Sequence, residues 1–479
     1  MKQYDVIIIG SGGGAKITTP AARLGLRVAC IEKDKLGGTC LNRGCIPSKM
    51  LIHPADVADE IKHAKKFDIH NDPTFTVDFA KLMERINKTT DHDSDSIVSG
   101  YTKNPNIDYY KGTASFVSDK VVQVNGEQLT ADKIFIGVGT RCSLPDIKGL
   151  TDTPFMTSTE ALKARKLPKS MVVVGAGYIA VELGHAYGGL GCDVNFMVRS
   201  QYIRKQDKDV VAEFSRVFSE KYTTHFGASP TRVSYENNEF TIEYQQDGEI
   251  KTIKSEALLI ATGIRSNADS LHLENTGIEV SGSGFVKVDE HLRTTVNGIY
   301  ALGDCVGNYF FRHSVNFEGE YLFDEVFGRS LGLPIKYPPV PFAVFTNPQV
   351  AGVGKTEDEL IDEGVDYVVG LNPYAKSAMG MAILADHGFC KILIERKTQK
   401  ILGAHIVGPE ASNMIHMIIA FMCKNGTLDD LLNMIYIHPA LPEIVRNAAR
   451  KAKVALIVTP VPPPPVPKED EPQGNKLEW

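Results

Sequence analysis

The chain is predicted to be an α/β protein built from two Rossmann-like dinucleotide-binding domains and a C-terminal α+β domain, and three observations predict it. It opens on an apolar strand, Tyr4-Asp5-Val6-Ile7-Ile8-Ile9, that runs into Gly10-Ser11-Gly12-Gly13-Gly14-Ala15. The same pattern returns as Met171-Val172-Val173-Val174 followed by Gly175-Ala176-Gly177-Tyr178-Ile179-Ala180. Beyond Pro338-Pro339-Val340-Pro341 the composition shifts to strands and helices without such a signature. A length of 479 residues accommodates about three domains, each with its own core.

In the first unit, strand, tight turn and helix start bring the backbone at Gly10 and Gly12 close to a pyrophosphate, which then lies on the helix N-terminal amides. A second strand over residues 27–31 ends at Glu32, the acidic residue expected on the adenosine ribose hydroxyls. Ala15 stands where a third glycine is expected, and Pro20 is expected to shorten or kink the helix. From residue 52 to about 100 the pattern is helical, with Leu82, Ile86 and Ile97 at core spacing. A hairpin over 113–124 turns at Asp119, and a second turn follows at Asn125-Gly126. The strand over 133–140 closes this unit, its glycine-rich end, Gly137-Val138-Gly139-Thr140, implying backbone packed against a ligand.

One such fold binds one nucleotide, so two imply two. The second unit's next strand, 194–198, ends in Arg199, with Arg204 and Lys205 close behind. A guanidinium there pairs bidentately with a 2′-phosphate, which points to NADP(H) over NAD(H); a solvated strand-end charge is the competing reading. Ala261-Thr262-Gly263 echoes the first unit's closing strand, and a strand at 299–302 ends in Gly303-Asp304, whose carboxylate can accept from polyol hydroxyls. In the last domain, strands are expected at 391–395 and 401–407 and helices at 413–425 and 428–434. From about Val454 the chain becomes proline-rich and then charged, a composition that cannot bury a core.

The chemistry concentrates in Gly37-Gly38-Thr39-Cys40-Leu41-Asn42-Arg43-Gly44-Cys45-Ile46-Pro47-Ser48-Lys49. Two thiols at this spacing can join only if the backbone between them is not an ideal helix, since a disulfide needs its Cα atoms within about 7 Å. Gly37, Gly38, Gly44 and Pro47 are expected to supply that irregularity. A buried structural pair is the competing reading; the position behind a dinucleotide fold favours a redox-active disulfide. Near the end, Ile437-His438-Pro439-Ala440-Leu441-Pro442-Glu443 places a histidine near a carboxylate, the arrangement of an oriented general acid/base.

A net charge of −6 offers no basic surface for nucleic acid, and no apolar run of membrane-spanning length or cleavable leader is read, so the cytoplasm is the expected compartment. Eight cysteines in a chain this long do not make a disulfide framework. Cys30, Cys142, Cys192, Cys305, Cys390 and Cys423 are expected to be small buried hydrophobes, and no metal-ligand set is expected.

In this order, over roughly residues 4–450, these motifs resemble the FAD-dependent pyridine nucleotide-disulfide oxidoreductases, on the branch of dihydrolipoyl dehydrogenase and mycothione reductase. The resemblance implies an FAD site at Gly10, Gly12, Gly14, Glu32, Lys33, Gly38, Thr39, Lys49, Gly139, Thr140, Gly303 and Asp304. It implies a nicotinamide nucleotide site at Gly175, Gly177, Tyr178, Ile179, Glu182, Arg199, Arg204 and Gly263, with Lys49 and Glu182 as an ion pair beside the flavin. Cys45 matches the sulfur facing the flavin and Cys40 the one exchanging with substrate, with Lys49 favouring a thiolate at Cys45. His438 and Glu443 match the family's catalytic dyad, which acts on the opposite subunit of a homodimer.

The domains so implied are 1–150 (FAD, first part), 151–267 (NAD(P)), 268–338 (FAD, second part), 339–457 (dimerisation) and a tail at 458–479. The implied activity moves electrons between a nicotinamide, FAD, the Cys40/Cys45 pair and a small or protein-bound dithiol or disulfide, a lipoyl group among the candidates. The stretch 37–49 and His313 look like dihydrolipoyl dehydrogenase. Tyr178 and Arg199 resemble NADPH-using reductases of low-molecular-weight disulfides, which keeps that alternative open, and a non-enzymatic flavoprotein subunit is the third reading.

Overall fold

The computed structural model describes residues 1–70, 75–328 and 331–458, so the proline-rich tail lies outside the described residues. The chain divides into two compact units. One comprises Met1–Arg204, Ser215–Val340 and Val344–Asn347; the other comprises Lys205–Phe214, Pro341–Ala343 and the residues from Pro348 on. Among the described residues no helix is long and apolar enough to cross a membrane.

The first unit is built on a sheet whose parallel strands lie in the order Ile107–Lys111, Val28–Glu32, Lys2–Ile9, Glu127–Ile136, with Ile299–Ala301 against the far side of Glu127–Ile136. The opening strand is apolar at every position from Val6 to Ile9 because both of its faces are covered. Ile7 and Ile9 join one cluster with Ile31, Ile134 and Ile136, while Val6 and Ile8 join another with Ile17, Ala21 and Leu302. Each such fully buried side chain stabilises the fold by about 1.5–3 kcal/mol. The strand at the centre ends at Ile136 rather than continuing to residue 140, and a separate short strand, Thr140–Cys142, follows. Its first half pairs antiparallel with Val121–Val124 across a turn in which Asn125 (φ 51°) and Gly126 (φ 80°) are both left-handed.

A second parallel sheet has the order Thr223–Phe226, Asp193–Val198, Ser170–Val174, Ala257–Ile260, with an antiparallel trio at Ser229–Glu236, Glu239–Gln246 and Glu249–Ser255. The two parallel sheets turn from strand to helix by the same device. At Gly10 (φ +98°) a Cβ would sit 2.4 Å from the Gly137 carbonyl oxygen; at Gly175 (φ +136°) it would sit 2.3 Å from that of Ala261. Only glycine fits either crossing.

Two expectations about the first helix need correction. It runs unbroken from Ser11 to Arg23 through Pro20. Pro20 falls in the last turn, where its missing N–H removes only the bond to the Lys16 carbonyl. Close helix-to-strand packing is provided by Gly14, whose Cβ would lie 2.4 Å from the Ile8 side chain, so residue 15 has no need to be glycine. Within the helices Cys45–His63 and Phe79–Thr102, Ile86 is fully buried, Ile97 packs on the core and Leu82 is only half-buried.

The second unit holds the antiparallel run Tyr367–Pro373, Phe389–Glu395, Ile401–Val407, Val350–Gly354. The helices Ala411–Met422 and Glu443–Val458 share its core. Ala448, Ala449 and Ala452 let the last helix lie so close to the strand Tyr367–Pro373 that a Cβ on Gly370 would meet the Ala448 carbonyl at 2.1 Å. Beneath the sheet, Lys391 is fully buried and its Nζ reaches Asp207 (2.8 Å), Asp209 (2.7 Å) and Glu357. Of the lone cysteines, Cys30, Cys192, Cys305 and Cys390 are buried as expected, whereas Cys142 is half-buried and Cys423 is exposed at the end of its helix.

Candidate active site

The cysteine stretch folds as two helices broken at one residue. Gly37 (φ 101°) and Gly38 (φ 67°) turn the chain into the helix Gly38–Arg43, which carries Cys40. Gly44, at φ −142° and ψ −117°, ends it, and Cys45 opens the long helix Cys45–His63. Pro47 is not part of the irregularity: it sits in the first turn of that helix, where a missing N–H costs nothing. Both cysteines are free thiols, Cys40 half-buried and Cys45 exposed.

The two thiols act on one another. Cys40 is brought down to about 7, first by the hydrogen bond from Cys45 and then, against the opposing effect of burial, by the positive charges of Arg312 and Lys49. Cys45 is pushed up, first by that same hydrogen bond and then by the desolvation of its sulfur, although the residue as a whole is exposed, with Lys49 opposing. The two thiols therefore titrate as one hydrogen-bonded pair, with Arg312 and Lys49 as the cations that act on it. Sequence placed Lys49 four residues after Cys45 but gave no sign of Arg312, which arrives from a distant helix.

Lys49 Nζ donates to Glu182 Oε2 at 2.7 Å and lies over the Phe345 ring at 4.5 Å; the Phe345 N–H donates to Glu182 Oε1 at 3.0 Å. Glu182 belongs to the helix Tyr178–Gly189, which starts at the second glycine turn. The two helices are further tied where Asp56 accepts from His185 Nε2 at 2.7 Å and where Lys62 donates to the Gly189 carbonyl at 2.8 Å. A Cβ on Gly189 would meet that of Ala55 at 2.8 Å. None of these partners beyond Glu182 was visible in the sequence, because nothing local marks them.

The first nucleotide turn fits a diphosphate-bearing cofactor. Gly38 comes so close to Gly12 that a Cβ would lie 2.7 Å from its Cα, while one on Gly12 itself would have no neighbour nearer than 3.9 Å, which leaves the Gly12 edge open. Glu32, buried at its strand end, accepts from the Ser11 N–H (2.9 Å) and hydroxyl (2.8 Å) on Oε2 and from Asp34 N–H on Oε1. Two carboxylate oxygens carry about four acceptor positions, so capacity for a hydroxyl remains. Lys33 and Thr39 are exposed. Gly139 (φ 66°) is open, and Thr140 donates to Asp304 Oδ2 at 3.1 Å. Burial pushes Asp304 up despite that bond. Gly303 is anchored by its N–H, which donates to Glu318 at 2.6 Å; Tyr337 donates to the same carboxyl at 2.7 Å.

At the second turn, Gly177 and Gly263 have no neighbour within 4 Å of a built Cβ, and Ile179 is exposed. The Tyr178 ring stacks on Phe311 (6.2 Å between centroids), which in turn stacks on His313 (5.1 Å). Arg199 and Arg204 are exposed past the strand Asp193–Val198, with no hydrogen bond or ion pair to the described residues. In the second unit, His438 Nδ1 lies 3.0 Å from Glu443 Oε2. Glu443 is buried at the start of the last helix and also accepts from Ala440 N–H (3.2 Å) and Arg446 (2.6 Å). The bond from His438, with Ala440 N–H and Arg446 behind it, holds this carboxyl below its usual range. The histidine side chain is 69% exposed, so the ring is fixed at one nitrogen and presented outward.

Comparison with known proteins identifies the family. Residues 4–319 match the family model described as pyridine nucleotide-disulphide oxidoreductase, and residues 340–449 match that family's dimerisation domain. The chain is 33% identical to the dihydrolipoyl dehydrogenase of Geobacillus stearothermophilus over 462 residues, covering 94% of this chain and 96% of that one. It is 34% identical to the dihydrolipoyl dehydrogenase of Bacillus subtilis, with 94% and 96% covered. Among solved structures, the Cu(II) complex of the HOCl-induced flavoprotein disulfide reductase of Escherichia coli superposes with a TM-score of 0.84 at 28% identity, covering 94% of this chain and 99% of that one. The chain therefore belongs to the pyridine nucleotide-disulphide oxidoreductase family, as an FAD-dependent disulfide oxidoreductase that works with a pyridine nucleotide.

Proposed function

We propose that the protein is a homodimeric dithiol/disulfide oxidoreductase of the dihydrolipoyl dehydrogenase type, able to use NADP(H) as well as NAD(H). In this reading residues 1–150 and 268–338 hold FAD, 151–267 the nicotinamide nucleotide, and 339–457 the subunit interface. The observation that carries it is the break at Gly44, which sets two thiols at the junction of two helices, one of them tied through Lys49 to Glu182 of the nucleotide helix. Bound FAD supplies the two-electron step between nicotinamide and sulfur.

The chain's own residues do the rest. In the reducing direction Cys40, as thiolate, attacks one sulfur of the substrate disulfide, forming a mixed disulfide and expelling a thiolate that takes its proton from His438. Cys45 then attacks the Cys40 sulfur of the mixed disulfide, which closes the Cys40–Cys45 bridge and expels the second substrate thiolate, and the proton that Cys45 loses passes to that thiolate. Glu443 holds the imidazole through Nδ1, and in the homodimer each subunit's His438–Glu443 pair serves the cysteines of the other. In the oxidising direction the same bonds form and break in reverse.

A second reading, an NADPH-dependent reductase of a low-molecular-weight disulfide, is favoured by the exposed Arg199 and by Tyr178 at the nucleotide helix start. Steady-state rates with dihydrolipoamide and with small thiol disulfides, each with both nicotinamides, decide between the two. Arg199→Glu is expected to lower the NADPH to NADH preference at least tenfold, the loss of one bidentate contact to a 2′-phosphate. An unchanged preference would overturn the NADP(H) assignment.

A further inference from the structure

The strand Val28–Glu32 runs into the cysteine stretch through residues 33–37, and both ends of that loop are fastened to one carboxylate. Glu32 Oε1 accepts from the Asp34 N–H at 3.0 Å, while Oε2 accepts from the Ser11 N–H at 2.9 Å and from its hydroxyl at 2.8 Å. The Ser11 hydroxyl oxygen in turn accepts from the Gly37 N–H at 3.0 Å. The bonds run in one direction, from amide to hydroxyl to carboxylate, and each donor polarises the next. Ser11 and Glu32 are both buried.

The helix that carries Cys40 starts where this relay ends. Gly37 precedes it at φ 101°, and Cys40 follows three residues on. The carbonyl side of the loop is held by its own neighbours: Asn42 Nδ2 donates to the Leu36 and Gly38 carbonyls at 2.9 and 3.0 Å, and Ser94 donates to that of Leu36 at 2.8 Å. Arg43 is turned to Asp34 at 2.8 Å. The N–H side is held by the nucleotide turn, through Ser11. An apolar contact reinforces the same junction, because a Cβ on Gly38 would lie 2.7 Å from the Gly12 Cα.

We propose that Ser11 is a positioning residue for the cysteine pair. Its hydroxyl passes the place of the Glu32 carboxylate to Gly37, so the group expected on the cofactor's ribose also sets where Cys40 stands relative to Cys45. This rests on the reading of Cys40 and Cys45 as the redox pair of an FAD enzyme. Glu32 gives three of its about four acceptor positions to the protein and keeps one for a ribose hydroxyl. Disulfide geometry is narrow, so the balance between bridge and thiols responds to small shifts of the Cys40 helix.

The test is that balance in the FAD-saturated holoenzyme, set by anaerobic dithiothreitol buffers and read by alkylating free thiols and mapping them by mass spectrometry. Dithiothreitol is oxidised to its cyclic disulfide as the bridge takes up two electrons and two protons. Ser11→Ala is expected to make the bridge at least fivefold easier to reduce, and Ser11→Thr, which keeps the hydroxyl, to restore most of the difference. Glu32→Gln should act in the same direction, and the double variant should exceed neither single one, as expected of residues in one network. An unmoved balance in Ser11→Ala overturns the inference, including where flavin content falls, since Ser11 then serves the cofactor alone. Additive effects of the two substitutions overturn the route through Glu32. Hydrogen–deuterium exchange of the unaltered holoenzyme needs no variant: the Gly37 amide should exchange at least tenfold more slowly than in an unstructured peptide, and exchange at the unstructured rate overturns the inference. Dithiothreitol keeps the readout independent of nicotinamide, so an enzyme whose cysteines NADPH and NADH leave oxidised would refute the proposed function without touching this result.

Discussion

Lys49 and Glu182 meet at 2.7 Å, although one lies on the cysteine helix and the other on the nucleotide helix. The pair is only partly buried, with the lysine side chain 35% exposed, so its direct worth in stability is about 1 kcal/mol or less. Its effect on the reaction is expected to be larger. Glu182→Gln should slow reduction of the enzyme by nicotinamide by about 10–100-fold while shifting the thermal midpoint by only a few degrees, because it frees a cation beside the sulfurs and loosens two helices at once. Stopped-flow reduction alongside differential scanning calorimetry reads both quantities, and an equal loss of stability and rate would contradict the separation.

The lowered Cys40 thiol predicts the form of a pH profile. With Cys40 brought to about 7, the thiolate fraction of the reduced enzyme rises about tenfold per pH unit below that value and levels off above it. Single-turnover reaction of reduced enzyme with a small disulfide should follow the same curve. A midpoint near the ordinary thiol value would show that neither the hydrogen bond from Cys45 nor the two cations act on this sulfur.

Gly38 tests the cradle. It combines a left-handed φ with a Cβ position 2.7 Å from the Gly12 Cα, so Gly38→Ala must push the two helix starts apart. The expected result is a protein that folds but retains flavin at least tenfold more weakly, measured by cofactor release on ultrafiltration.

The buried lysine of the second unit should be unforgiving. Lys391→Met leaves Asp207, Asp209 and Glu357 facing one another without a cation, at a cost of about 3–5 kcal/mol. Denaturant unfolding of the holoenzyme should show this loss, and addition of Asp207→Asn to Lys391→Met should recover part of it.

The same region predicts an acid limit. Burial lowers His405 from its ordinary 6.5; its Nε2 faces the Lys355 carbonyl at 2.9 Å and its Nδ1 has no partner among the described residues. Asp207 and Glu359 oppose the shift, and Lys391 adds to it. A base whose folded value is depressed is neutral in the fold while the unfolded chain takes up the proton, so stability is lost as pH falls below 6.5, by up to about 1.4 kcal/mol per pH unit. His405→Gln should flatten that slope in thermal scans between neutrality and pH of about 5.

The elements most legible in the sequence were those with a local cause. Gly10 and Gly175 announce their turns because only glycine fits a left-handed crossing under a carbonyl, and Asn125-Gly126 announces its hairpin for a similar reason. His438 and Glu443 were readable together because five residues of chain hold them within reach. What sequence could not supply is whatever a long loop brings back. Arg312 reaches Gly12 across most of the first unit, and His185 reaches Asp56 from another helix. The charges around the cysteines divide in the same way: Lys49 is near Cys45 in the chain, whereas Arg312 comes to Cys40 only through the fold. Pro20 is the opposite case: a residue that breaks a helix interior is accommodated because the helix is already ending at Arg23.

The paired glycine crossings, Gly10 under the Gly137 carbonyl and Gly175 under that of Ala261, make the two nucleotide turns geometric copies. Tolerance to substitution measured at one therefore transfers to its counterpart by simple superposition. A side chain that one turn rejects is forbidden by the same oxygen in the other, and engineering a new cofactor into either must begin outside these two positions.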